Sequence, residues 1–337
     1  MERCLSYDDV LLIPQYSDIS SRKEIDISCD LGKGIHLKLP IISSPMDTIS
    51  EAHMAAAAGE CGGMSIIHRY NTIDYQCRHV RAVPPNVQVG AAIGVSGDYL
   101  ERAKGLIDAG AALICVDIAH GHHQLMKRAL YNLRKVLGDD IHLMAGNVAT
   151  LDAINDLAEW GADSARCNIG GGSICSTRIQ AGHGLPGLQT IFNCARTDKD
   201  IKIIADGGIK NSGDIVKALA AGADAVMCGS LFAGTIETPA KVIQDPDGTR
   251  WKSYRGMASK EAQVDWHGRY NSFEGVATRV PFQGAVRGVL EDLERGIRSG
   301  FSYSGARNLL ELQVKAEFVQ QTTSGLSESH THILSRY

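Results

Sequence analysis

Eight short apolar runs, at residues 39–46, 63–68, 87–93, 112–117, 142–148, 162–169, 201–206 and 225–230, alternate with stretches of helical periodicity. The runs are apolar almost without interruption. That is the pattern of parallel strands covered on both faces, not of a half-exposed sheet. Between them, apolar side chains recur at helical spacing: Tyr99, Ala103, Leu106 and Ile107; Leu151, Ile154, Leu157 and Ala158; Ile215, Val216 and Leu219. Three of these helices reach the same stop, Ala109-Gly-Ala111, Trp160-Gly-Ala162 and Ala221-Gly-Ala223. A glycine just past a helix end supplies a left-handed cap, and here a strand follows at once. Eight strand–helix units predict an α/β fold, a (β/α)8 TIM barrel. An open doubly wound sheet uses the same units, but the lack of a Gly-x-Gly-x-x-Gly opening favours the barrel.

The chain of 337 residues would divide into two domains at about 150 residues each, yet barrels exceed that length as one domain. A single catalytic domain over 1–337 is therefore expected. Residues 236–300 are charged and turn-rich, with a lid expected at about 258–280. Closing helices are predicted at 286–298 and 306–317, and a flexible or partner-pinned tail at about 320–337. The net charge of −4 offers no basic field for nucleic acid. No run approaches the roughly 18 apolar residues that span a bilayer, and the first residues lack the apolar stretch of a secretory signal. Nine cysteines without a Cys-x-x-Cys pair fit a reducing, cytoplasmic setting.

Polar or glycine residues cluster after the runs: Asp47, His68, Asp117-Ile-Ala-His-Gly121, Gly146-Asn147, Gly170-Gly-Gly-Ser173, Asp206-Gly-Gly208 and Gly229-Ser230. In a barrel these all fall on the C-terminal rim, where active sites are built. Glycines after the seventh and eighth strands are placed to hold a phosphate. The densest stretch is Asn168-Ile-Gly-Gly-Gly-Ser-Ile-Cys-Ser-Thr-Arg178. Its glycines form a backbone anion cradle. Cys175 on such a loop is a candidate thiolate nucleophile, whereas Cys115, Cys167 and Cys228 lie in strand runs and are expected to be filler. His120-Gly-His122-His123 has the look of a metal cluster, but no metal is expected there.

Tyr7-Asp-Asp-Val-Leu-Leu-Ile-Pro14, Ser44-Pro-Met46, Ala145-Gly-Asn-Val148, Gly172-Ser-Ile-Cys175 with Thr177-Arg178, Ala205-Asp-Gly-Gly-Ile209 and Tyr254-Arg-Gly-Met257 follow one another over most of the chain. Together they resemble the IMP dehydrogenase/GMP reductase family. The resemblance implies a purine nucleoside monophosphate on the rim with a nicotinamide beside it. It makes Cys175 the nucleophile at purine C2. Ser173, Gly208, Gly229, Ser230 and Tyr254 match phosphate positions and Asp206 the ribose carboxylate. Gly256, Met257 and Glu274 match the base side, and Asp117, Ala119 and Asn147 the nicotinamide side. The carbonyls of Gly170, Gly172 and Cys175 match a monovalent cation site, K+. A homotetramer is also implied.

Within that family the chain resembles the reductase more. Ile67-His-Arg-Tyr70 passes to Val87 with no inserted regulatory domain, and only fourteen residues separate Ser259 from Glu274. Thr177 and Glu274 match the pair that protonates the departing amine. The reading is NADPH-dependent deamination of GMP to IMP and ammonia. The alternatives are an IMP dehydrogenase lacking its regulatory module and a non-catalytic nucleotide-binding paralogue. Arg269-Tyr270 and Glu328-Ser-His-Thr-His332 resemble dehydrogenase features. Arg69 stands where the reductase has lysine. Asn168 and Gly171 replace the usual glycine and proline, which predicts a looser loop.

Overall fold

The computed structural model describes residues 3–270 and 274–331. Its centre is a closed barrel of eight parallel strands: β1 (Ile41–Ser43), β2 (Met64–Ile67), β3 (Gly90–Ile93), β4 (Leu113–Asp117), β5 (His142–Val148), β6 (Ser164–Cys167), β7 (Lys202–Asp206) and β8 (Ala225–Cys228). Each strand pairs with the next, and β8 closes on β1 through Val226 beside Ile41. All eight fall inside the runs expected to be strands, so the TIM barrel is what the chain forms. Helices α1 (Ala52–Glu60), α2 (Ile73–Arg81), α3 (Tyr99–Asp108), α4 (Gln124–Leu137), α5 (Leu151–Glu159), α6 (Gly187–Cys194), α7 (Ser212–Ala220) and α8 (Val286–Tyr303) follow the strands in turn. Among the described residues no helix is long and apolar enough to cross a membrane.

Period-two alternation explains why the strands are apolar throughout. In β4, Leu113 and Cys115 face the barrel axis while Ile114 and Val116 meet the helices. The axis is filled by Ile42, Met64, Ile66, Ala92, Met144, Ile204 and Met227. A hairpin of Cys29–Gly32 and Ile35–Leu37 plugs the N-terminal end with Leu31, Ile35 and Leu37. The barrel is therefore open only at its C-terminal rim. Cys115, Cys167 and Cys228 are buried, as filler should be. Burial pushes the Cys115 thiol up to about 12, which keeps it unreactive.

The three Gly-Ala stops are one device used three times. Gly110, Gly161 and Gly222 take φ of +103°, +102° and +114°. In each case the following alanine N–H reaches back to the helix: Ala111 to the Leu106 carbonyl at 2.9 Å, Ala162 to Leu157 at 2.9 Å, and Ala223 to Ala218 at 3.1 Å. This is the Schellman pattern, and it turns each helix directly into a strand.

The segment expected to be an irregular loop forms a three-stranded antiparallel sheet of Val242–Gln244, Arg250–Arg255 and Ala277–Pro281. The charged Gln244-Asp-Pro-Asp-Gly-Thr-Arg250 stretch is a hairpin turn, closed by Asp245 N–H to the Thr249 carbonyl at 2.9 Å. Its Asp-Gly step was the available signal. Helix Lys260–His267 lies beyond this sheet. Residues 271–273 of the lid region lie outside the described residues. At the other end, Phe318–Gln320 pairs antiparallel with Val10–Leu12, and Thr323–Glu328 is a short helix. The tail thus begins at the end of a strand that completes a sheet with the N-terminal segment. His332, from the dehydrogenase-like stretch, is outside the described residues.

Left-handed glycines predict graded substitution effects. Nothing lies within 4 Å of a Cβ built on Gly110, whereas one on Gly222 would sit 2.5 Å from the Ala195 Cβ. Gly110→Ala should lower stability by about 1 kcal/mol, the strain of the backbone alone. Gly222→Ala should lower it measurably further in denaturant unfolding; equal losses would contradict this packing.

Candidate active site

The rim holds a cavity of about 460 Å³. Its charged floor follows from strand register. Leu113, Cys115 and Asp117 share the inward face of β4, Ser164 and Arg166 that of β6, and Ile204 and Asp206 that of β7. Asp117 lies beside Gly146 of β5, and Gly146 lies beside Arg166. A Cβ on Gly146 would come 2.6 Å from the Arg166 Cβ. The missing side chain lets Arg166 cross β5 and donate to Asp117 Oδ1 at 2.6 Å. Its other edge donates to Asp206 Oδ2, from Nη2 at 2.8 Å and Nε at 3.1 Å. Asn147 Nδ2 donates to the same oxygen at 2.7 Å, and Arg69 Nε donates to Asp117 Oδ2 at 3.3 Å. Burial opposes ionisation of Asp117, but the two guanidinium groups outweigh it and hold its carboxyl below the usual range. Arg166 is 7% exposed and is held charged by Asp206 and Asp117 against its burial.

Sequence reasoning did not single out Arg166. The available signal was a charged side chain within an otherwise buried strand run, which needs a partner.

The glycine-rich loop carries Cys175, the candidate nucleophile. Cys175 Sγ donates to Thr177 Oγ1 at 3.2 Å, and Thr177 Oγ1 donates to Glu274 Oε2 at 2.6 Å. Glu274 is nearly one hundred residues away in sequence. Backbone bonds bring it in: Ser176 N–H to the Glu274 carbonyl at 2.8 Å, Val276 N–H to Ile174 at 3.0 Å, and Glu274 N–H to Ala258 at 3.1 Å. A Cβ on Gly256 would lie 3.3 Å from the Gly275 Cα, so this seam is tight. Met257 is held at the cavity by Asp47 N–H donating to its sulfur at 3.2 Å.

Opposite the cysteine loop, Gly207 and Gly208 take φ of +82° and +76°. That double left-handed step follows β7 and is open only to glycine at ordinary strain. Tyr254 shares a hydrogen bond with Ser173, and its hydroxyl lies 3.2 Å from a Cβ built on Gly229. Burial pushes its phenol pKa up, so it remains a hydroxyl donor at neutral pH. Ser173, Asp206, Gly208, Gly229, Ser230, Tyr254, Gly256 and Met257 all line the cavity. So do Asp117, Ala119, Asn147, Gly170, Gly172, Cys175, Thr177 and Glu274.

Two departures from the family pattern prove to be one. A Cβ on Gly171 would sit 2.2 Å from the Asn168 amide nitrogen, so the Asn168 side chain fills that room. The amide also donates to the Gly207 carbonyl at 3.3 Å, joining the two glycine loops.

Two histidines of the 120–123 stretch have structural partners. His122 pairs with Asp156 at 2.8 Å, and His123 caps α4 by accepting from Leu125 N–H at 3.0 Å. Among the described residues no group of three or more His, Cys, Asp or Glu could hold a metal ion.

Arg166→Met would leave two carboxylates without their shared cation, and should destabilise the protein by about 3–5 kcal/mol in urea unfolding. Gly146→Ala should act in the same direction, by displacing Arg166. The Asp117 carboxyl is held below its unfolded value of about 4. Its contribution is therefore whole above that pH and fades as pH falls through the lower folded value. An Arg166→Met protein as stable as the parent at pH 7 would contradict this pairing.

Comparison with known proteins shows the family to which the chain belongs. The family model described as "IMP dehydrogenase / GMP reductase domain" matches residues 4–332. The chain is 38% identical to an inosine-5′-monophosphate dehydrogenase of Cryptosporidium parvum, over 97% of this chain and 94% of that one. It is 32% identical to a GMP reductase of Leishmania major, over 98% and 97%. Among solved structures it resembles a Trypanosoma brucei GMP reductase variant in complex with guanosine 5′-monophosphate. The TM-score is 0.93 at 29% identity, covering 98% of both chains. The chain belongs to the IMP dehydrogenase/GMP reductase family of oxidoreductases.

Proposed function

We propose that the protein is a GMP reductase, converting GMP to IMP and ammonia with NADPH. The observation that carries this reading is the unbroken hydrogen-bond line from Cys175 through Thr177 to Glu274. The Cys175 proton passes to Thr177 Oγ1 as the Thr177 proton passes to Glu274, which leaves a thiolate and a protonated carboxyl. The thiolate adds to purine C2. Glu274 returns the stored proton through Thr177 to the C2 amine. The carbon–nitrogen bond then breaks and ammonia leaves with its electron pair. An amine departs readily only when it is protonated, so an acid at this position is what deamination requires.

Asp206 holds the ribose hydroxyls, kept in place by Arg166 and Asn147. Gly208, Gly229, Ser230, Ser173 and Tyr254 present N–H and O–H donors to the phosphate. The tops of β2, β4 and β5 offer Arg69, Tyr70, Asp117, Ala119 and Asn147 to the cavity. This set of a guanidinium, an aromatic ring, a carboxylate and an amide fits a nicotinamide with its carboxamide. These residues would hold a reduced nicotinamide, which when bound would supply the hydride that takes the place of sulfur at C2. The carbonyls of Gly170, Gly172 and Cys175 are neutral, hard oxygen donors and suit a monovalent cation such as K+. Such an ion would fix the cysteine turn.

The dehydrogenase alternative needs a base to activate water. Its candidates, Arg269 and Tyr270, are not among the residues lining the cavity, and Tyr270 lies under the Lys260 ammonium, 4.8 Å from its ring centre. Two nicotinamide absorbance assays with potassium separate the readings. GMP with NADPH should consume reduced nicotinamide and release ammonia, while IMP with NAD should give no XMP. XMP formation without GMP turnover would overturn the proposal. Glu274→Gln should lower the GMP rate by roughly 10²- to 10⁴-fold, the range of a general acid, with GMP binding retained.

A further inference from the structure

Lys252 is 2% exposed, one of the few fully buried charged side chains in the protein. Among the described residues no carboxylate forms an ion pair with it, although Glu237 is near enough to act on its charge. Its ammonium donates to three backbone carbonyls, those of Thr235 at 2.7 Å, Thr238 at 2.9 Å and Ile236 at 3.1 Å. These carbonyls end a run of turns that begins at Gly229 and Ser230: Phe232 N–H bonds the Gly229 carbonyl, Ala233 N–H that of Ser230, and Thr235 N–H that of Phe232. A lysine ammonium has three donors, so the set is saturated and the geometry is fixed.

Lys252 lies on the lid strand Arg250–Arg255, with Tyr254 two residues on and on the same inward face. The strand thus touches the post-β8 turn at two places. Tyr254 meets its start at Gly229, and Lys252 clamps its end at Thr235–Thr238. Neighbouring strands hold the register, with Lys252 opposite Val280 and Tyr254 opposite Thr278.

We propose that Lys252 is a positioning residue of the phosphate site, holding the lid strand against this turn so that the Tyr254 hydroxyl reaches the nucleotide phosphate. The proposal rests on the nucleotide reading given above. It assigns this sheet a part in substrate affinity, since Lys252 and Tyr254 share one face of one strand and a local shift at Lys252 would withdraw the Tyr254 hydroxyl.

The test is calorimetric binding of GMP and of guanosine, which lacks the phosphate, to the full-length protein. Lys252→Met should weaken GMP binding about tenfold, the loss of one hydrogen bond to a charged group. Guanosine binding should stay within about twofold, as no hydrogen bond to it is lost. In a Tyr254→Phe background the same substitution should have little further effect, because both changes remove one contact. Equal GMP affinity in Lys252→Met and the parent, or full additivity with Tyr254→Phe, would overturn the proposal. Should Lys252→Met fail to fold, Lys252→Arg serves. Its planar fork cannot converge on three carbonyls from one atom, so GMP should weaken while guanosine does not, and parental GMP affinity would again overturn the proposal. A parent protein that binds neither GMP nor IMP would instead sink the nucleotide reading, and this inference with it.

Discussion

The site depends on one guanidinium. Arg166 reaches across β5 where Gly146 has no side chain and joins Asp117 to Asp206. Two carboxylates on neighbouring inward faces would repel each other and resist burial. Arg166 between them offsets that repulsion and fixes both carboxylates in orientation. Asp206 then meets the strand-end glycines on one side, and Asp117 meets Arg69 on the other. The floor of the cavity is thus a chain of alternating charges, rigid because every member is held by the barrel itself.

Above that floor the reactive residues come from segments the barrel does not fix directly. Cys175 stands on a glycine loop and Glu274 just before the Ala277–Pro281 strand, joined by short backbone bonds across the Ile174, Gly256 and Gly275 seam. The lid is fastened at further points. Arg255 bonds Asp47 at 2.6 Å and also reaches Asp265 on the lid helix, and Trp266 stacks on Tyr70 with ring centres 6.2 Å apart. The hydrogen-bond line from Cys175 to Glu274 thus joins the glycine loop to the segment that precedes the Ala277–Pro281 strand.

Much of this was legible in the sequence, for physical reasons. Strands buried on both faces leave uninterrupted apolar runs, and the Gly-Ala stops demand positive φ, so the barrel could be read residue by residue. Cys175 was legible because three glycines beside it have no packing explanation. Other features were hidden because they depend on register. Arg166 looked like one charge in a strand until Gly146 was placed beside it. Asn168 and Gly171 looked like two independent departures, and only their contact shows that one side chain fills the other's space. The lid sheet was hidden because its strands are short and half-exposed, so their alternation is weak against the charged turns between them.

The central claim is that Cys175 attacks purine C2 with loss of ammonia, before any hydride is delivered. Intact-protein and peptide mass spectrometry after acid quench, with GMP and no reduced nicotinamide, tests it directly. The account predicts a purine nucleotide adduct on the Cys175 peptide, with one ammonia released per adduct. No adduct from GMP, together with an adduct on Cys175 from IMP and NAD, would contradict it.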